Sequence, residues 1–524
     1  MKTYIDIGVV RIQRYLAKPR HLRTQRGGSA LIKFATSKIS AEDKKLLDTN
    51  STIDKVMLDP VAHYCTCLAD EGLIGWQRNE EAGDIAGVVS IVNQDSIDGD
   101  NCHRVIELLA RYLREKLPNA ELEAYYITSE SSYLESYEAM RVNGPCLVAL
   151  PLENDYPGLL HCDECGATPV VRMEIFPDPD NQQQSEERRM CSDCSKREDD
   201  YGRVRELIER KKDPIAPTFL VEGKLQQEIT QHRNKPGTEL VDVAKSFSHL
   251  ADLQQGADRA NHLATIWIDG DAIGEKFKHI ATTERAGAVD KLSCATERAL
   301  MEAAKSIDLD ESTGKAKHLE VPVIPHVLGG DDVLVTLLAT EAWKFVLEFL
   351  KVFETETASL IPGTTASAAI VFARQSFPFA AQLDRAEELL AKTKRKAVAV
   401  RRKPDALQTS FVGWVDLTRE TSVDMPEFFD SSKDIKNAEG IFQELNGVGG
   451  LSATQREAWI RILNSQDAED ALDRIYSDAR RMGKLALLRK VFLNENQIET
   501  DEEVKAEREA KTLLKRLEIL RWWN

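Results

Sequence analysis

Apolar runs of strand length alternate along this chain with longer stretches whose apolar residues recur every three or four positions. Thr3 to Val10 is rich in β-branched residues and predicts a strand. Val88 to Val92 predicts a second, and Glu123 to Thr128 a third. Ile106, Leu109, Leu113 and Leu117 fall at helical spacing, so residues 103–117 read as a helix. A basic, amphipathic segment follows the first strand, and Gly27-Gly28-Ser29 then leads into Ala30-Leu31-Ile32. Residues 1–155 therefore read as one mixed α/β unit.

A second unit spans residues 256–425. Leu263 to Asp269 is an apolar strand that ends in Gly270-Asp271. A helix follows, from Ala288 to Ser306. Pro322 to Leu328 and Val333 to Leu338 are strands joined by Gly329-Gly330-Asp331-Asp332, a hairpin by its turn residues. Glu341 to Glu354 is a helix, Ala366 to Phe372 a strand, and Leu383 to Lys394 a helix. The order β-α-β-β-α-β is that of a ferredoxin-like fold. Between the two units, residues 156–200 carry two cysteine pairs separated by a polar, loop-like stretch, Asp178 to Glu187. Residues 201–255 are charged and read as a helical linker. Residues 426–524 are helical, most clearly over Ala468–Phe492 and Asp501–Trp523, and suit a bundle used for assembly.

Composition narrows the class. A chain of 524 residues holds several domains. No apolar run approaches the roughly 20 residues of a membrane helix, and the first residues lack a secretory signal, so a cytoplasmic protein without membrane contact is expected. The net charge of −17 excludes coating nucleic acid through bulk charge. Local basic segments remain. One is Arg11, Arg14, Lys18, Arg20, His21, Arg23 and Arg26; the other runs from Lys392 through Arg402 to Lys403. Each is either a nucleic-acid contact or a solvated face. From the first, Arg11, Arg14, Arg20, Arg23 and Arg26 are the candidates for RNA.

The chemistry concentrates in two places. Phosphoryl transfer from a nucleoside triphosphate needs its charge neutralised, and magnesium (or manganese) held by hard carboxylate oxygens does this. Asp269 and Asp271 close one strand, and Asp331 and Asp332 sit in a hairpin whose strands can lie beside it. Gly270, Gly329 and Gly330 carry no side chains, so a triphosphate can approach their backbone. Taken alone, Gly-Gly-Asp-Asp is also an ordinary turn. The second place is Cys162-x-x-Cys165 with Cys191-x-x-Cys194, the spacing of a closed, structural zinc site; a redox pair is the alternative. Cys65 and Cys67, near His63, read as an ordinary pair. Cys102, Cys146 and Cys294 read as buried small residues.

Several stretches together resemble the large, palm-domain subunit of type III CRISPR effector complexes. They are Trp267 to Gly274, Val327 to Leu334, Ala366 to Ile370 and the helix Ala386 to Lys394, with Ile7 to Leu16, Leu22-Arg23 and Gly27-Gly28-Ser29 resembling that family's first palm. The resemblance implies an α+β architecture of two ferredoxin-like palms, an intervening four-cysteine zinc segment and a helical C-terminal domain. It also implies a nucleotidyltransferase that joins ATP into cyclic oligoadenylates, with guide RNA, target RNA and the other type III complex subunits as partners. By position, Asp269 and Asp331 become the main Mg2+ ligands, assisted by Asp271 and Asp332; Ser367, Lys392 and Lys394 become nucleotide contacts. No His is followed by Asp, so the family's His-Asp nuclease is not expected. The first palm has no Gly-Gly-Asp-Asp counterpart, and its Asp6 reads as a turn or edge residue. A diguanylate cyclase fits less well, since Val333 and Leu334 follow the aspartates. A silent scaffold and a stand-alone defence cyclase remain as alternatives.

Overall fold

The computed structural model describes residues 1–38, 59–83, 87–142, 144–150, 159–177, 185–199, 221–232, 242–244, 246–253, 261–277, 280, 282–307, 320–401, 408–418, 427–447, 449–491 and 502–523. In the first palm, β1 (Lys2–Val10), β2 (Trp76–Arg78), β3 (Val88–Asn93), β4 (Glu121–Ser129) and β5 (Leu147–Ala149) form one sheet in the order β2-β3-β1-β4-β5. The first four strands have the ferredoxin-like order. β1 is central and antiparallel to both neighbours, so Asp6 lies opposite Ser90 and Tyr125 in mid-sheet. It is not a turn or edge residue. Its carboxylate accepts from Ser90 (2.6 Å) and Tyr133 (2.8 Å), with Arg141 at 3.7 Å.

The basic, amphipathic segment after β1 forms a short helix, Ile12–Ala17, and then enters a longer one. The longer helix, Leu22–Thr36, runs through both glycines. They face the cysteine unit: a Cβ on Gly27 would lie 1.9 Å from the Arg197 carbonyl oxygen, and one on Gly28 2.7 Å from an Arg197 guanidinium nitrogen. Glycine lowers helix propensity, and close docking of another backbone is what it secures here. The cysteine unit itself is a hairpin, β6 (Arg172–Pro177) and β7 (Ser185–Met190), followed by a helix over 192–199. Ser185, Glu186 and Glu187 thus belong to a strand; residues 178–184 lie outside the described residues. Of the expected linker, Val221–His232 is a helix whose Leu225 and Ile229 enter the second palm's core. β8 (Asp242–Val243) pairs with β10 (Glu320–Val321), so this stretch belongs to the second palm.

The second palm holds β9 (His262–Gly270), β11 (Val323–Gly329), β12 (Asp332–Leu338), β13 (Ala366–Arg374), β14 (Phe411–Asp416) and β15 (Phe428–Ser431) in the order β11-β12-β9-β13-β14-β15. Again the first four strands have the ferredoxin-like order, and additional strands extend the same edge. Alternation along β9 sorts its side chains between two layers. Ile266 and Ile268 face a core that includes Phe345, Phe349 and Phe353. Trp267 faces the other way, toward Leu389 and Leu390 of the helix Phe379–Arg401.

The C-terminal helices do not form a separate bundle. Trp459, Leu513, Leu517, Trp522 and Trp523 belong to the same core as Ile266 and Ile268. Trp522 stacks on Phe372 at 5.2 Å and donates its indole N–H to Asp416 at 3.0 Å. Strand β15 also lies past the expected boundary at 425. No helix among the described residues is long and apolar enough to cross a membrane.

The Gly27 contact predicts a cost. Gly27→Ala should destabilise the protein by about 1–3 kcal/mol through overpacking, read as a lower thermal midpoint. Gly440→Ala, in a helix with open space around it, should leave the midpoint unchanged or raise it.

Candidate active site

The hairpin between β11 and β12 delivers two aspartates to the end of β9. Gly329 pairs with Asp332, leaving Gly330 and Asp331 as the loop. Gly330 has φ +61, a conformation glycine adopts freely. Neither Gly329 nor Gly330 faces an atom within 4 Å of a Cβ position, so the space in front of the loop is open. Gly270 is different. A Cβ there would lie 2.6 Å from an Asp331 carboxylate oxygen, so this glycine is what lets Asp331 fold back over the strand.

Asp269, Asp331 and Asp332 therefore crowd one another. Burial and the Asp269 charge push the Asp331 carboxyl up to about 7, and the same two causes push Asp332 up to about 6. Asp332 is held at both oxygens: the Trp267 indole donates to Oδ1 at 3.1 Å and Gln13 Nε2 to Oδ2 at 3.2 Å. Lys394, reaching from the helix Phe379–Arg401, donates to Asp269 Oδ2 and to the Gly270 carbonyl (3.1 Å). The three carboxylates are hard oxygen donors facing one another, which fits a divalent cation. They are not gathered as tightly as the cysteines, the set among the described residues whose ligand atoms all lie within 4.8 Å.

A cleft of about 290 Å³ opens here between the palms, lined by Gln13 and Arg14 from the first and Trp267, Asp269 and Lys394 from the second. The two walls share a design. β1 leads through Arg11 (φ 52) into the helix Ile12–Ala17, and β9 leads through Ala272 (φ 54) into the helix Ile273–Phe277. Counting back three residues from each left-handed position, Gly8 stands where the second palm has Asp269. The first palm thus lacks the ligand-bearing side chain at the matching place.

Other expected residues are engaged elsewhere. Asp271 is buried and accepts from Ser367 (2.7 Å), Thr365 (2.9 Å) and Arg401 (2.6 Å). Ser367 is itself fully buried. Both residues anchor the end of β9 to β13 and stand back from the cleft. Lys392 pairs with Glu388 and Glu427, not with the aspartates. The N-terminal basic segment is largely consumed inside the chain, because folding brings acids of other elements against it. Arg11 pairs with Glu121, Arg14 with Glu387, Arg23 with Glu198 and Arg26 with Glu222. Of these candidates for RNA, Arg20 is exposed and makes no such close ion pair among the described residues. In the second basic segment, Arg401 faces inward, and Arg402 and Lys403 lie outside the described residues. Gln13, Trp267 and Thr365 gained no site role from sequence; Gln13 and Asp332 are 319 positions apart, and no local pattern links them.

The cysteines converge as their spacing predicts. Each pair closes a matching turn, Gly166 N–H to the Cys162 carbonyl and Ser195 N–H to the Cys191 carbonyl, both at 2.9 Å. Gly166 has φ +68. Hydrogen bonding from Cys162 is the largest influence on the Cys191 thiol and helps bring it down to about 7. Four cysteine sulfurs at this separation fit zinc, which takes four thiolates tetrahedrally. His63 and Cys67 meet at 3.4 Å within one helix and form no larger cluster among the described residues. Cys102 is buried as expected, whereas Cys146 is half-buried and Cys294 exposed.

Residues 262–401 match the family described as Cas10/Cmr2, second palm domain. Among solved structures, Csm1 in T. onnurineus matches with a TM-score of 0.51 at 13% identity, covering 99% of this chain and 69% of that one. The Csm1–Csm4 cassette in complex with cA4 matches with a TM-score of 0.50 at 12% identity, over the same shares. No curated protein matches. The chain is thus Cas10-like in its second palm and shares the fold of these Csm1 chains across nearly its whole length.

Two outcomes follow from the site. The raised Asp331 and Asp332 values mean that these two carboxyls hold more protons in the folded chain than in the unfolded one between pH about 4 and about 7. Their contribution to stability in magnesium-free buffer falls as pH rises through that window, while buried His326, pushed down to about 3 by desolvation, contributes with the opposite sign. Asp331→Asn should therefore melt higher than wild type at pH 8, by calorimetry, with the difference shrinking as pH falls toward about 4. Elemental analysis should find one zinc per chain, and Cys165→Ser should lose it and expose residues 159–199 to limited proteolysis.

Proposed function

We propose that the chain is a nucleotidyltransferase that makes cyclic oligoadenylates from ATP as the large subunit of an RNA-guided type III complex. The observation that carries this is the gathering of Asp331 and Asp332, from a hairpin with open space before it, against Asp269 at the end of β9, which lines an inter-palm cleft. Asp269 and Asp331 would hold Mg2+ or Mn2+, with Asp332 assisting; bound divalent cations neutralise triphosphate charge and activate the attacking hydroxyl. The 3′-oxygen of one ATP bonds to the α-phosphorus of another, its proton leaves to solvent, and pyrophosphate departs.

The chain's own residues do the positioning. Gly329 and Gly330 leave their backbone open to the phosphates. Lys394 neutralises Asp269 in the absence of substrate; once a cation takes that role, its ammonium is free to face phosphate oxygens across the cleft. Asp271, fixed by Arg401, Thr365 and Ser367, holds the end of β9 at its register. Guide RNA, target RNA and a Csm4-type subunit are the partners this reading assigns, the last supported by the cassette structures of similar fold.

The test is incubation of the purified protein, with any co-purifying RNA and subunits, with ATP and magnesium or manganese, products read by mass spectrometry. Wild type should give oligoadenylates and the Asp331→Ala, Asp332→Ala double variant none. Lys394→Ala should raise the KM for ATP by about tenfold, the loss of one charge-assisted contact of roughly 1.4 kcal/mol. No product from an assembled wild-type complex would leave a silent scaffold as the reading.

A further inference from the structure

One short helix of the first palm, Ile12–Ala17, touches the second palm's aspartates with one residue and the cysteine unit with another. Gln13 Nε2 donates to Asp332 Oδ2 at 3.2 Å. Two residues on, the Tyr15 hydroxyl donates to Asp193 Oδ1 at 2.9 Å. Asp193 lies inside the second cysteine pair, between Cys191 and Cys194.

The grip on Tyr15 is complete. Arg197 Nε donates to Asp193 Oδ2 at 2.7 Å, and its guanidinium lies 3.9 Å over the Tyr15 ring. The same guanidinium donates from Nη2 to the Tyr15 carbonyl at 3.0 Å. Tyr15, Asp193 and Arg197 are all 3% exposed or less. A buried ion pair of this kind is poorly tolerant of displacement, because moving either partner strands a charge away from water. The close packing of Gly27 and Gly28 on Arg197 removes the remaining freedom. Gln13 and Tyr15 are about 3 Å apart along the helix axis, so fixing one places the other.

The chemistry of an amide suits this place. Asp332 has one oxygen on the Trp267 indole and the other on Gln13. Both donors are neutral. They orient the carboxylate without cancelling the negative charge that a cation requires, which a lysine or arginine would do.

We infer that Gln13 is a positioning residue for Asp332, and that the second cysteine knuckle sets it through Asp193, Arg197 and Tyr15. This rests on the nucleotidyltransferase reading above. The test compares wild type, Gln13→Ala, Tyr15→Phe and the double variant, each with its co-purifying subunits. Four quantities are read: Mn2+ affinity in the presence of ATP by calorimetry, kcat and KM for ATP, zinc content, and the thermal midpoint. Gln13→Ala should lower kcat or Mn2+ affinity by about 10–100-fold, the usual effect of removing a partner that orients a ligand. KM for ATP should change less than threefold, with zinc and midpoint unchanged. Tyr15→Phe should act in the same direction and more weakly, and the double variant should be no worse than Gln13→Ala alone, since both act on one path. Wild-type Mn2+ binding and turnover with an indistinguishable Gln13→Ala would overturn the inference alone, as would fully multiplicative losses for the knuckle arm. A wild type that neither binds Mn2+ with ATP nor turns over would sink the nucleotidyltransferase reading, and this inference with it.

Discussion

Burial makes each negative charge at the junction of β9 with the β11–β12 hairpin costly, and proximity makes each neighbour costlier still. Asp331 and Asp332 both rise in pKa for these two reasons. Most of the surrounding sequence is intelligible as a response to that repulsion. Gly270 removes a side chain so that Asp331 fits. Lys394 supplies a positive charge against Asp269. Trp267 and Gln13 supply neutral donors to Asp332. What remains uncompensated is negative charge on hard oxygen donors, which is the chemistry that fits a divalent cation.

The two palms share strand order, edge extensions and a left-handed residue between first strand and first helix. They differ in what that shared frame carries. In the second, β9 ends in carboxylates that are tied back to β13 through Asp271. In the first, Gly8 stands at the place matching Asp269, and the buried polar group Asp6 is satisfied inside the sheet. The first palm instead contributes a wall, and through Gln13 one contact to the other palm's carboxylates.

Much of this was legible from periodicity. The central strands of both palms, the Gly-Gly-Asp-Asp hairpin and the four-cysteine cluster follow from local pattern, because period-two alternation, turn chemistry and thiol spacing are local signals; the outer strands Trp76–Arg78, Leu147–Ala149, Phe411–Asp416 and Phe428–Ser431 did not stand out. What stayed hidden was non-local. Gly27-Gly28 carries no local sign of the docking surface it forms, which is visible only once Arg197 is placed against it. The N-terminal arginines read as either a nucleic-acid contact or a solvated face, and that Glu387, Glu198 and Glu222, all distant in sequence, meet three of them is visible only in the fold. Ser367 was expected as a nucleotide contact and Asp271 as an assisting metal ligand; their hydrogen bond to each other belongs to the register between β9 and β13 and has no local signal. The helix Val221–His232 read as a linker since its few apolar residues find their core only in the folded second palm.

The shared core of the second palm and the C-terminal helices bears on how the chain is made. Trp522 covers Phe372, on β13, yet it emerges from the ribosome about 150 residues later. At about 5–20 residues per second, that interval is roughly 8–30 s. The first palm can close its sheet early in synthesis, whereas the second waits with an apolar face exposed until its cover arrives. Nascent chains in that interval are the ones a chaperone has reason to hold.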